Sequence, residues 1–262
     1  MAYFDIPTID VSPFIRSEEN EEGKKKAIEQ MREACVNYGF FQIANHGIPL
    51  ELLSRIMDMY KTFFASSDDE KLSVPSDNYF KSTKKSAGTY EQLLFHLSSS
   101  GFNVCPENPP HIKNDQARDF LLGIYYSPAT EAENVGKSAH KDPGCITILY
   151  QAEVGGLQVH KDEQWIPIAP SKDKLEVNIG DVIQVLSNNK FKSATHRVIR
   201  PRETNRYSCA FFYNVQGDKW VEPLPQCTKE IGESPKYRGF LFKEYVQLRQ
   251  RDETHPPARP ED

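Results

Sequence analysis

Between Phe120 and Val215 the chain is a succession of short apolar runs separated by turn-forming residues, and no other feature constrains its fold as tightly. FLLGIYY, CITILYQ, GGLQV, WIPI, LEVNIGDVIQVL, THRVI and YSCAFFYNV follow one another, bounded by Gly, Pro, Asn and Asp. Runs of this length, rich in β-branched and aromatic residues, read as strands. Many short strands in series close into a sandwich or jelly roll. Gly155 and Gly156 allow a tight bend, and Gly180 with Asp181 reads as the turn into a further strand, DVIQVLS. FLLGIYY is apolar on both alternations, so it needs cover on both faces.

The flanking regions are mixed. IPTIDVSPF has the alternation of an edge strand, with Pro7 at its start and Pro13 at its end. Residues 18–38 carry Ala27, Ile28, Met31, Ala34 and Cys35 at helical spacing. YGFFQIANHGIP reads as strand and turn, punctuated by Gly47 and Pro49, with His46 a turn residue rather than a ligand. A second amphipathic helix over 49–64 presents Leu52, Leu53, Ile56, Met59, Tyr60 and Phe63. Residues 65–119 are polar and turn-rich, with only short helical pieces near Glu91 to Leu97. KYRGFLFKEYVQLRQR reads as a C-terminal helix packing through Phe240, Tyr245 and Leu248, before a loose Pro-rich tail. No repeat or linker divides the chain. The expectation is one domain over 1–262, mainly β with flanking helices: an N-terminal region over 1–110, a jelly-roll core over 120–222, and a C-terminal helix and tail over 223–262.

Composition removes several classes of function. A net charge of −5 offers no global basic field for nucleic acid. The Lys24–Lys26 run is diluted by Glu18, Glu19, Glu21 and Glu22 and reads as a solvated helix face. No apolar run reaches the roughly 18 residues of a membrane span, and the N-terminus lacks a basic start followed by an apolar stretch. The five cysteines (Cys35, Cys105, Cys145, Cys209 and Cys227) form no C-x-x-C pair, which argues against a disulfide frame or a zinc site. A reducing, cytoplasmic compartment fits, and no obligate protein partner is implied.

The chemistry is carried by His140 and Asp142. In an extended strand, residues two apart point to one face, so both side chains can aim at one point. A third ligand, His196, must come from a neighbouring strand. Two imidazoles and a carboxylate on one side of a metal leave the other side open, the facial triad of non-haem Fe(II) oxygenases. Spacing alone does not settle this, because the same tripeptide recurs at His160, Lys161 and Asp162. That copy lies between LQV and WIPI and reads as a hairpin turn; ordinary loop residues would explain the first copy equally well.

The wider order separates the two. His196 follows His140 by 56 residues, Arg206 follows His196 by ten, and Ser208 stands two further on. This order resembles the double-stranded β-helix core of the Fe(II)/2-oxoglutarate-dependent dioxygenases, in the plant-type branch that includes anthocyanidin synthase, flavonol synthase, isopenicillin N synthase and ACC oxidase. YGFFQIANHG resembles that family's N-terminal region. The resemblance implies an oxidoreductase with Fe(II) held by His140, Asp142 and His196, and with no catalytic side chain beyond the metal centre. It implies 2-oxoglutarate and O2 as co-reactants, and a small organic substrate, a hormone or specialised metabolite, that is hydroxylated or desaturated as succinate and CO2 form. Arg206 supplies a planar fork for the far carboxylate of 2-oxoglutarate, with Ser208 beside it. Tyr126 matches a family tyrosine that holds the same carboxylate, with a plain core aromatic as the alternative reading.

Two departures stand out. Ile124 replaces the asparagine usual in the family's Asn-x-Tyr. Relatives also carry a long stretch, including an amphipathic helix that buttresses the sheet, where this chain has a few polar residues near 110–115. Its loss predicts either a break in the chain between about Pro109 and Asp115, or a sheet face beside FLLGIYY left bare or covered by another molecule. Two further readings stay open: an oxidase that works without 2-oxoglutarate, since ACC oxidase shares R-x-S, and a catalytically inactive jelly roll that binds a ligand or partner.

Overall fold

The computed structural model describes residues 6–15, 20–76, 78–82, 90–98, 101–102, 119–131 and 133–252, without the side chains of 96–98, 101–102 and 250–252. In chain order the elements are β1 (Thr8–Asp10), α1 (Glu21–Asn37), β2 (Phe40–Ala44), α2 (Leu50–Ala65), α3 (Asp68–Leu72), β3 (Tyr79–Ser82), β4 (Tyr90–Ser98) and β5 (Gly101–Phe102). There follow β6 (Phe120–Tyr126), β7 (Val135–His140), β8 (Ile146–Tyr150), β9 (Leu157–Lys161), β10 (Gln164–Pro167), β11 (Lys174–Ile179) and α4 (Asp181–Leu186). The chain then forms β12 (His196–Ile199), β13 (Arg206–Tyr213), β14 (Trp220–Val221), β15 (Phe240–Leu241) and α5 (Phe242–Asp252).

A large sheet runs β1-β2-β11-β8-β13-β6-β4-β3, and a smaller one runs β10-β9-β12-β7. Side-chain parity separates the two faces of the large sheet. On β13, Tyr207 and Cys209 join the cluster under α2, together with Leu121 and Tyr125 of β6 and Leu175 of β11. The alternate residues of the same strands turn inward: Leu122, Ile124 and Tyr126 pack with Ala210 and with Val198 of the small sheet. This lumen between the sheets, mainly β with helices outside, is the expected jelly roll. Several of its inward positions are polar and buried: Gln151, Glu176, Asn178, Arg206 and Ser208.

The outer helices follow from their patterns with a shifted register. In α1 the Asn20 side chain caps the start by accepting the Gly23 N–H at 2.9 Å. Ala27, Ala34 and Cys35 bury against Ile9, Phe41, Val177 and Ile179, while Ile28 points to solvent. In α2 the core face is Leu53, Met57, Tyr60 and Phe64. Leu52 and Met59, expected on that face, are exposed. Helices this apolar offer more than one stripe, and the sheet selects which one it covers. Leu248 of α5 is likewise exposed, although Phe240 and Tyr245 bury as expected.

Three expectations change. DVIQVL is helix α4 rather than a strand. Val182 and Val185, three apart, are both fully buried, and a short apolar run does not reveal its period. The helix's first free N–H groups find partners in the loop after β7: Asp181 N–H donates to Asp142 O at 2.8 Å and Val182 N–H to Gly144 O at 3.0 Å. Glu91 to Leu97, read as short helical pieces, is part of β4, which pairs with β6 along Glu91↔Tyr125 to His96↔Phe120. Cross-strand pairing overrides the local preference there.

The third change concerns cover. No residue of β6 is exposed. One of its faces lies in the lumen, and α2 seals the other so closely that a Cβ on Gly123 would meet the Tyr60 ring at 2.2 Å. The bare sheet face expected beside FLLGIYY is therefore absent, because α2 supplies the cover assigned to the missing helix. The suspected break between Pro109 and Asp115 lies outside the described residues.

Candidate metal and cosubstrate site

His140 ends β7 and His196 begins β12, and the two are directly paired across the small sheet. Their rings lie 4.3 Å apart between centroids. Asp142 lies two residues past the end of β7, in the loop that α4 anchors, rather than within the strand. Its Oδ1 is 3.7 Å from Nε2 of His140 and 3.7 Å from Nε2 of His196. All three ligand atoms lie within 4.8 Å of one another. Donor atoms 3.7 Å apart can both sit at about 2.1 Å from one ion, the usual metal–N and metal–O distance. The donor set and its spacing therefore fit a divalent metal.

Neighbouring groups orient each donor. Nδ1 of His140 donates to Ser138 O at 2.7 Å, and Nδ1 of His196 to Ala194 O at 3.1 Å. A carbonyl can only accept, so both protons sit on Nδ1 and both Nε2 lone pairs face Asp142. The second Asp142 oxygen, Oδ2, accepts from Thr147 Oγ1 at 2.6 Å and Asn178 Nδ2 at 2.8 Å. Oδ1 is left for the metal. Burial, followed by the neighbouring His196, drives the His140 pKa down, so its imidazole is neutral and able to ligate. Burial alone would raise the Asp142 carboxyl; His196, His140 and the two hydrogen bonds outweigh it and hold the pKa below the ordinary range.

The cosubstrate residues lie across the lumen. Arg206 starts β13 and is 1% exposed. Its Nε donates to Gly155 O at 3.1 Å, one terminal nitrogen to Ser208 Oγ at 3.1 Å, and the other to Gln151 Oε1 at 3.2 Å. The guanidinium sits 5.1 Å from the centre of the Tyr126 ring. No carboxylate among the described residues forms an ion pair with it. Burial costs this cation part of its basicity, and a buried guanidinium beside neutral partners is a receptor for a ligand carboxylate. Tyr126 contributes its ring face to Arg206, and burial pushes its phenol up to about 12. Ile124, the departure from Asn-x-Tyr, lies opposite Ser208 and is buried in the apolar lumen.

The second tripeptide takes no part. His160 is on β9, exposed and packed against Trp165 at 4.9 Å, and Asp162 sits at the β9–β10 turn with φ 47°. Lys192 and Arg197 also stay outside: Lys192 donates to Asn189 O, and Arg197 lies over Trp165. Sequence reading did not single out Thr147, Gln151, Asn178 or Glu176. Their signal was parity: each is a polar residue at an inward position of a strand run that is otherwise apolar.

A jelly roll with a His-Asp-His triad and a buried arginine across its lumen defines a non-haem iron dioxygenase class, and the comparisons agree. Residues 117–215 match the 2OG-Fe(II) oxygenase superfamily, and residues 6–119 match the non-haem dioxygenase in morphine synthesis N-terminal family. The chain belongs to the 2OG-Fe(II) oxygenase superfamily. It is 32% identical to 1-aminocyclopropane-1-carboxylate oxidase 5 of Arabidopsis thaliana, over 93% of this chain and 93% of that one. To the 2-oxoglutarate-Fe(II) type oxidoreductase hxnY of Emericella nidulans it is 31% identical, over 92% and 88%. The structure of JOX2 in complex with 2OG, Fe and JA superposes with a TM-score of 0.77 at 27% identity, covering 98% of this chain and 87% of that one. The first alignment spans 292 positions against a chain of 262, so that relative carries residues with no counterpart here.

Proposed function

We propose that the protein is an Fe(II)- and 2-oxoglutarate-dependent oxygenase that hydroxylates or desaturates a small organic molecule, a hormone or specialised metabolite. His140, Asp142 and His196 would hold the metal, and Arg206 and Ser208 the far carboxylate of 2-oxoglutarate. The observation that carries this reading is the buried Arg206 without an anionic partner, sharing one lumen with a metal-competent triad. Bound iron supplies O2 activation coupled to decarboxylation of 2-oxoglutarate to succinate and CO2. The protein's own part is positional. Ser138 and Ala194 fix the imidazole tautomers, Thr147 and Asn178 aim Asp142, and the apolar lumen around Leu122, Ile124 and Val198 excludes water.

JOX2, named with 2OG and JA bound, supports a small-molecule substrate. Free cysteines at 35, 145, 209 and 227 support a reducing, cytoplasmic setting. The test is anaerobic reconstitution with Fe(II), then exposure to O2 with 2-oxoglutarate and a library of small organic molecules, with succinate as the readout. Succinate formation is expected. Iron binding with product but no 2-oxoglutarate consumption would instead select the oxidase that works without it, and absence of iron binding would select the inactive jelly roll.

A further inference from the structure

The small sheet places a second cation beside the triad. Along β12 and β7, His196 pairs with His140 and Val198 pairs with Lys137, with a bulge between the two pairs. His196 and Val198, two apart, share a face. The bulge brings Lys137, three residues before His140, onto that same face. Val198 is buried in the lumen against Leu122, Ile124 and Tyr126, so Lys137 enters the lumen one pair along from the two histidines, about 7 Å down the strand. Its ammonium donates to the Tyr90 hydroxyl at 2.9 Å and lies 4.8 Å from that ring's centre. Its charge also reaches the triad: after burial and His196, Lys137 helps to keep His140 neutral.

A lysine ammonium has three N–H donors, and a phenol satisfies one of them. Lys137 is half-buried and has no ion pair among the described residues. The two buried arginines nearby are accounted for. Arg206 is aimed at Ser208 and Gln151, and Arg200 is held by Ser127, Pro128 and Glu133. Apolar walls stand beside Lys137, including Phe120 stacked on Phe212 at 4.5 Å. We propose that Lys137, with Tyr90, binds the carboxylate of the organic substrate, so that the enzyme acts on a small organic acid with an apolar body. This rests on the 2-oxoglutarate reading above, in which the cosubstrate's own far carboxylate goes to Arg206.

The test is calorimetric binding to the full chain loaded with Mn(II) and 2-oxoglutarate, which holds the ternary site without turnover. The probes are phenylacetate, cinnamate and cyclohexaneacetate, each against its primary amide. Acids are expected to bind at least about tenfold more tightly than their amides, as loss of a charge-assisted contact in a partly desolvated site implies. Lys137→Met should erase that preference with 2-oxoglutarate affinity unchanged, and Lys137→Arg should restore it. A panel in which no acid outbinds its amide, a preference that survives Lys137→Met, or a loss of 2-oxoglutarate binding in that variant would each overturn the inference. Failure of the wild-type protein to bind 2-oxoglutarate would instead overturn the cosubstrate reading on which it rests.

Discussion

Replacing Glu176 by Gln should remove a pH-dependent weakness from the centre of the fold. Glu176 is 0% exposed on the inner face of β11. Its Oε1 accepts from Gln151 Nε2 at 3.0 Å and Gln42 Nε2 at 3.4 Å, while Oε2 has no partner. Burial raises its pKa from an ordinary 4.5 to about 7, against the pull of Gln151, Gln42 and the Arg206 charge. Below pH 4.5 the folded and unfolded chains both hold the proton. Between 4.5 and 7 only the folded chain holds it, so stability falls as pH rises through that window and then levels off. At 1.36 kcal/mol per pH unit of difference, the loss is about 3 kcal/mol at pH 8 and about 1 kcal/mol at pH 5. A glutamine cannot titrate. Any cost of its extra N–H groups is independent of pH and cancels when one pH is compared with another. Urea unfolding of the metal-free wild type and Glu176→Gln at pH 5, 6, 7 and 8 should show the variant gaining about 2 kcal/mol on the wild type from pH 5 to pH 8. A constant difference across that range would mean that Glu176 ionises like a solvated carboxylate, and the reasoning from its burial would fail.

Substitution of His140, Asp142 or His196 by Ala should each abolish Fe(II) binding, measured by iron content after anaerobic reconstitution, whereas His160→Ala and Asp162→Ala should retain it. Asn178→Ala and Thr147→Val should weaken Fe(II) about 10- to 100-fold without abolishing binding, because they loosen the aim of Asp142 rather than remove a ligand; titration of the metal-free protein reads this directly. Arg206→Lys should weaken 2-oxoglutarate by on the order of 2–3 kcal/mol, since a point ammonium cannot reproduce the planar fork, and an unchanged Kd would place the ligand carboxylate elsewhere.

Much of the site could be read in one dimension because its elements carry local or ordered signals. The two H-x-D copies were separable by their surroundings: Asp162 sits in a two-residue hairpin turn whose composition shows it, and Asp142 precedes the apolar strand β8. Two strands at fixed spacing bring His196 opposite His140, and strand parity puts Arg206 and Ser208 on one face. What stayed hidden depends on which surface an element meets. Leu52 and Met59 are as apolar as Leu53 and Met57, and only the curve of the sheet under α2 decides between them. DVIQVL is a helix because the carbonyls of Asp142 and Gly144 await its first N–H groups, and Glu91 to Leu97 is a strand because β6 is there to pair with it.

The sequence by itself therefore determined the class of fold, the three metal donors and the arginine, since these rest on residue type, period and order along the chain. Only the tertiary structure decided the cover over β6, the partners that aim Asp142, the burial of Glu176 and the entry of Lys137 into the lumen. Those depend on distances between strands far apart in the chain and on a bulge that shifts one side chain to the other face. Neither the solvation of a buried group nor the direction of a side chain past a bulge is a property of any segment alone.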